Sequence, residues 1–153
     1  MSIVEKAFLK IISNGAIKKE NLIGCSNQEI DIIEKHFSCV LPYEYRRFLS
    51  VAGKGAGKLF QGSDIFFPNL LELQDEAKFL LLELSLDDLF DGSEKFFYMH
   101  QGYEFNYFKD LSADPVVMNF TEGCDVPIVA YKRFSDFIIS SIKEHLSGWP
   151  RLD

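Results

Sequence analysis

Leu41-Pro42-Tyr43-Glu44-Tyr45-Arg46-Arg47-Phe48-Leu49 is the stretch on which the reading of this chain turns. Pro42 suits the first turn of a helix, because its φ is already helical and the N–H it lacks has no partner there. Tyr45, Phe48 and Leu49 then fall on one face at the i, i+3, i+4 spacing, with Glu44, Arg46 and Arg47 on the other sides. Gly53 is a natural stop. The stretch predicts a short helix with two aromatic anchors that locks an N-terminal helical region onto another part of the molecule.

Working outward, Ile3, Val4, Ala7, Phe8, Ile11 and Ile12 form a helical stripe that ends near Asn14-Gly15. Ser26-Asn27-Gln28-Glu29 has the form of a capping box and opens a second helix carrying Ile30, Ile33 and Phe37. Beyond Gly53, the run Gly53 to Lys58 is a glycine-rich turn. Leu59-Phe60 and Ile65-Phe66-Phe67 predict short strands, the second ended by Pro68. Asn69 to Glu72 again has capping-box spacing, before a helix to about Leu84 that uses Leu73, Ala77, Leu80, Leu81 and Leu84. Ser85 to Gly92 is an acidic turn.

The rest is mainly β. Phe96 to Phe108, broken at Gln101-Gly102, predicts a hairpin with Tyr103, Phe105 and Tyr107 on one face. Val116 to Phe120 and Val126 to Tyr131 are two more strands, and Pro127 suits an edge position. A closing helix buries Phe134, Phe137, Ile138, Ile142 and Leu146 and stops at Gly148. Helices, then antiparallel strands, then a helix make an α+β fold: one mainly antiparallel sheet, packed on one face by N-terminal helices and a C-terminal helix.

With 153 residues, 47% of them hydrophobic, the chain suffices for one domain, taken as residues 1–153, and not for two. No apolar run approaches the roughly 20 residues of a membrane span. Met1 to Lys10 carries Glu5, Lys6 and Lys10 within a helical pattern, unlike a signal peptide. Three scattered cysteines, Cys25, Cys39 and Cys124, argue for reduced thiols in a cytoplasmic protein rather than a disulfide frame or a structural zinc.

The net charge of −7 opposes direct binding to nucleic acid and is unevenly placed. Between Glu72 and Glu94 stand Glu72, Asp75, Glu76, Glu83, Asp87, Asp88, Asp91 and Glu94 against the single Lys78. Outside that segment acids and bases are equal in number, so the whole excess lies within it. Such a segment is a solvated surface or an electrostatic complement to a basic partner. Glu83, Asp87, Asp88, Asp91 and Glu94, toward its less regular end, are the candidate partner-binding residues.

The order and spacing Glu34-x-x-Phe37-x-x-x-Leu41-Pro42-x-x-Tyr45-x-x-Phe48-Leu49-x-x-x-Gly53 resembles the signature of the SUKH superfamily. The hairpin about Gly102 and the closing Ala130 to Ile138 resemble it too, so the likeness runs roughly from Gln28 to Leu146. Phe37-Ser38 stands where the family has Leu-Gly, Ala52 and Lys54 where it has Asn and a second Gly, and Arg133 where Ser is usual. The yeast founder is a cell-wall assembly regulator, and most bacterial members are immunity proteins of polymorphic toxin systems. The resemblance implies a non-catalytic cytoplasmic protein that binds and neutralises a cognate toxin domain; whether it is a monomer or a weak dimer is not fixed by the sequence. A nuclease, with its basic cleft, suits an acidic inhibitor. The alternative is an adaptor in signalling or envelope assembly.

No motif points to chemistry. Gly57-Lys58 is followed by Leu59 and not by the Ser or Thr that a phosphate loop needs for Mg²⁺, and the third glycine of a dinucleotide fingerprint is missing. His36 and Cys39 form a lone pair where zinc takes three or four ligands. Cys124 sits between acidic neighbours, which disfavour a thiolate. The expectation is therefore an absence of catalytic residues, metal and cofactor.

Overall fold

The computed structural model describes residues 1–148. In chain order it contains α1 (Ile3–Ser13), β1 (Leu22–Ile23), α2 (Asn27–Phe37), α3 (Tyr43–Ala52), β2 (Gly55–Ala56) and β3 (Ser63–Asp64). There follow α4 (Leu73–Glu83), β4 (Lys95–His100), β5 (Glu104–Phe108), β6 (Val117–Thr121), β7 (Ile128–Tyr131) and α5 (Phe134–Gly148). The architecture is α+β. Strands β3 to β7 form an antiparallel sheet in sequence order, and β1 pairs with β2 in a separate small ladder.

The Leu-Pro stretch is the hub of the helical layer. Pro42 is the N-cap of α3, and Tyr45, Phe48 and Leu49 are fully buried. Tyr45 meets Phe97, Phe108 and Phe134 at ring-centroid distances of 5.3 to 5.7 Å, so the helix locks against both the sheet and α5. Its hydroxyl has no hydrogen-bond partner among the described residues, and burial pushes its pKa up. Apolar packing holds this ring in place.

Charged groups fix the other sides of α3. Arg47 pairs with Glu5 of α1, Arg46 with Glu34 of α2, and Lys54, just beyond the helix, with Glu29 of α2. Glu34 also accepts the Leu41 N–H at 3.0 Å, which draws in the entry to the helix. Glu44 does not face outward as its helical position predicts: it is 4% exposed and accepts the Val4 N–H at 3.0 Å and the Ile3 N–H at 3.3 Å. A carboxylate there satisfies two orphan donors at the N-terminus of α1 and suits its dipole.

Other terminators behave as their chemistry dictates. Ser26 and Glu29 form the capping box of α2. Gly53 ends α3 in a right-handed conformation, so the φ freedom of glycine is not what selects it. A Cβ there would lie 2.6 Å from both Cys25 Sγ and the Leu49 carbonyl oxygen, so close packing under β1 requires glycine. The predicted strands at Leu59-Phe60 and Ile65 to Phe67 are not strands: residues 57–62 turn, and only Ser63 and Asp64 pair, with His100 and Met99. Ile65 is buried in the core without a ladder.

The sheet is covered on both faces, not one. Phe96 and Phe97 face opposite sides as neighbours in a strand do, and a register shift at Phe97 turns Tyr98 to the same side as Phe97, both meeting Phe137 of α5. Phe97 packs on Tyr45, Phe134 and Phe137 in the α3/α5 layer. Phe96 instead packs edge-on or tilted against Phe105, Tyr107 and Phe90 on the side that α4 roofs. The hairpin turn forms at Gln101-Gly102 with positive φ at both residues. Phe105 and Tyr107 are core, while Tyr103, at the turn, is 40% exposed.

Candidate partner-binding surface

The acidic segment folds as a short 3-10 turn (Asn69–Glu72), then α4, then a second 3-10 turn (Asp87–Leu89) leading into β4. No side chain caps α4, so the Asn69 to Glu72 spacing does not make a capping box. Leu73, Ala77 and Leu81, four residues apart, bury one face of the helix against the sheet. Gln74 fastens it to the start of β4: its Nε2 donates to the Glu94 carbonyl at 2.6 Å and its Oε1 accepts the Phe96 N–H at 3.1 Å. The rest of α4 stands as a ridge.

Two large apolar side chains crown that ridge, Phe79 at 65% exposed and Leu82 at 61%. A groove of about 480 Å³ on one flank runs between α4 and the β4–β5 hairpin, lined by Asp75, Glu76, Phe79, Glu83, Met99 and Phe105 among others. A smaller one of about 250 Å³ on the other flank includes Lys78, Leu82, Asp87 and Phe90. The larger groove has no basic residue in its lining. Burial, then the carboxylates of Asp64 and Glu72, push the Glu76 carboxyl above its usual range. The larger groove is therefore electronegative, while Lys78 stands on the other flank.

The five residues singled out from the sequence divide in two. Glu83, Asp87 and Asp88 are exposed and enter none of the ion pairs among the described residues. Asp91 and Glu94 are engaged internally. Asp91 accepts the Ser93 N–H at 2.9 Å and Lys109 Nζ at 3.0 Å, and these contacts with the Ser93 hydroxyl hold its carboxyl well below the ordinary range. Glu94 is 3% exposed and accepts the backbone N–H groups of Asp91 and Gly92 at 3.2 and 3.0 Å, with Lys109 Nζ 3.6 Å away. Its carboxylate closes the turn.

Sequence reasoning missed the ridge itself. The signal was there: α4 is apolar over more than one face, and a two-sided apolar helix with one side packed leaves the other as a contact surface. Asp75, Phe79 and Leu82 belong to that outer side.

Among the described residues no group of His, Cys, Asp and Glu is placed to hold a metal ion. No helix there is long and apolar enough to cross a membrane. The surface thus combines an apolar centre, an acidic surround and flanking grooves. Residues 24–145 match the SMI1 / KNR4 family (SUKH-1). The chain belongs to that family. Among curated proteins, none matches this chain. For this SUKH-1 protein, the matched span starts at Gly24, before α2, and ends within α5, so it takes in the α3 hub, the whole sheet and the acidic ridge. Membership supports a protein-binding role of the immunity or cell-wall-related kind.

Proposed function

We propose that this protein is an immunity protein that binds a cognate bacterial toxin domain, a nuclease, and blocks it by occlusion without chemistry, in the cytoplasm. The observation that carries the reading is the α4 ridge: Phe79 and Leu82 exposed beside Asp75, Glu76 and Glu83, carboxylates that enter no ion pair among the described residues. A nuclease must present a basic cleft to bind phosphates, so an acidic ridge with an apolar crest is the shape and charge that fills such a cleft. Glu83, Asp87 and Asp88 steer the encounter, while the two apolar side chains supply the desolvated centre of the contact. Asp91 and Glu94 hold the loop that presents them.

The test is co-expression with the toxin domain encoded beside this gene. Growth rescue together with a stable 1:1 complex supports the assignment. Failure of the purified protein to bind any neighbouring toxin domain overturns it.

A further inference from the structure

The face of the sheet opposite α4 is only partly roofed by α3 and α5, and its open part is polar. Asn106 lies there in the middle of β5, 4% exposed, on the reverse side from Phe105 and Tyr107. Its Oδ1 accepts Asn119 Nδ2 from β6 at 2.8 Å, and Asn119 Oδ1 accepts the Thr121 hydroxyl at 2.8 Å. This ladder leaves Asn106 Nδ2 with no acceptor among the described residues. Reversing both amides would leave Oδ1 at the same place, so a polar end stays free in either assignment. That free end is not sealed in the core but opens into the groove, where an acceptor can reach it.

That amide lines a groove of about 440 Å³ shared with Tyr98, Asn119, Tyr131, Glu104 and Glu144. Glu144 comes from α5, which forms one wall. The other wall is β7, the outermost strand of the sheet, where Ile128 and Val129 are each 58% exposed. Glu104 and Glu144 enter no ion pair among the described residues, and the groove lining contains no Lys or Arg.

We infer that this groove docks an extended protein segment that presents an arginine. The guanidinium fork serves the Glu104 and Glu144 carboxylates and stacks on the tyrosine rings, which the compact ammonium of lysine does less well. A main-chain carbonyl of the segment satisfies Asn106 Nδ2. The unpaired edge of β7, with its apolar side chains beside the groove, gives the rest of an extended backbone a place to lie. The site is separate from the α4 ridge, on the other face of the sheet, and does not depend on the identity of any toxin.

The full-length ¹⁵N-labelled protein titrated with the blocked tripeptide Ac-Gly-Arg-Gly-NH₂ tests this by NMR. The side-chain amides of Asn106 and Asn119 and the backbone amides of β7 are expected to shift and saturate, with Kd on the order of 1 mM. Ac-Gly-Gln-Gly-NH₂ against the native chain, and the arginine peptide against E104Q/E144Q, are each expected to bind about tenfold more weakly. If the double variant does not fold, E104Q alone is titrated. Absence of a saturable shift overturns the inference, as do shifts centred on α4 or equal response to the glutamine peptide. None of these outcomes bears on toxin rescue.

Discussion

Phe79→Ala separates a side chain kept for a partner from one kept for the fold. A phenylalanine presents roughly 200 Å² of surface. At 65% exposed, Phe79 leaves about 130 Å² of it in water. At about 25 cal/mol per Å², full burial in a complex is worth about 3 kcal/mol, or roughly a 150-fold change in Kd. The same substitution removes little from the free protein, since Phe79 lies outside the buried face of Leu73, Ala77 and Leu81. Alanine is also the better helix former by a few tenths of a kcal/mol. The two effects have opposite signs, so both are measured: titration calorimetry against the toxin domain, and thermal unfolding of the free protein. A Kd weakened about 100-fold with an unchanged or raised Tm is expected. A Kd within threefold of the native value, or a Tm several degrees lower, would show that Phe79 is structural and refute the ridge as the interface.

Four further perturbations probe the charges. Asp87→Lys with Asp88→Lys reverses two free carboxylates beside the ridge; association slows by about tenfold at low salt and the salt dependence of the on-rate flattens, as read by stopped flow. An unchanged on-rate would mean that the acids are only solvated surface. Glu44→Ala strands the Ile3 and Val4 N–H groups at the buried end of α1 and costs about 3 kcal/mol in urea unfolding at unchanged m, whereas a loss under 0.5 kcal/mol would contradict the capping role. Acid weakens the fold through Glu5, Glu29 and Glu34, whose carboxyls are held below the ordinary glutamate range by their hydrogen bonds and cation partners: their stabilisation is full above that ordinary range and is lost as pH falls through each folded value. Glu76, shifted upward, runs the other way, so Glu76→Gln raises Tm at pH 7 and a lowered Tm would exclude repulsion from Asp64 and Glu72.

The order of elements and the identity of the core were legible because periodicity reports directly on which side chains leave water. Tyr45, Phe48, Leu49 and the Phe134 to Ile142 stripe lie inside as their spacing requires. Glu44 was not legible: its partners are backbone donors some 40 residues upstream, and no local pattern announces them. The β1–β2 ladder escaped because two-residue strands have almost no propensity signal, and it rests on Gly24 and Gly53, where a Cβ would strike α3. The acidic surface was visible as a charge run, but a run does not say which of its charges are free. Asp91-Gly92-Ser93-Glu94 has turn chemistry, which hints at internal bonding; the cation that completes it, Lys109, stands on the far side of a hairpin.

The distribution of acids therefore has a physical sense that the total of −7 conceals. In the first 54 residues each base that holds α3 has its own carboxylate: Glu5 for Arg47, Glu34 for Arg46, Glu29 for Lys54. Those charges are consumed in assembling three helices, and Glu44 is consumed at a helix terminus. Across Glu72 to Glu94 Lys78 is the one base and enters no ion pair among the described residues, so pairing there is limited to Lys109 with Asp91 and Glu94. The carboxylates left over gather around the only helix that exposes two large apolar side chains among those of the acidic segment. Uncompensated charge beside exposed apolar surface costs the free protein through self-repulsion and hydration. A basic partner with an apolar pocket relieves both costs in one contact, whereas solvation alone relieves only the charge. The α3 hub that identifies the family is thus the part least available to a partner, and the ridge that completes no internal pairing is the part most suited to one.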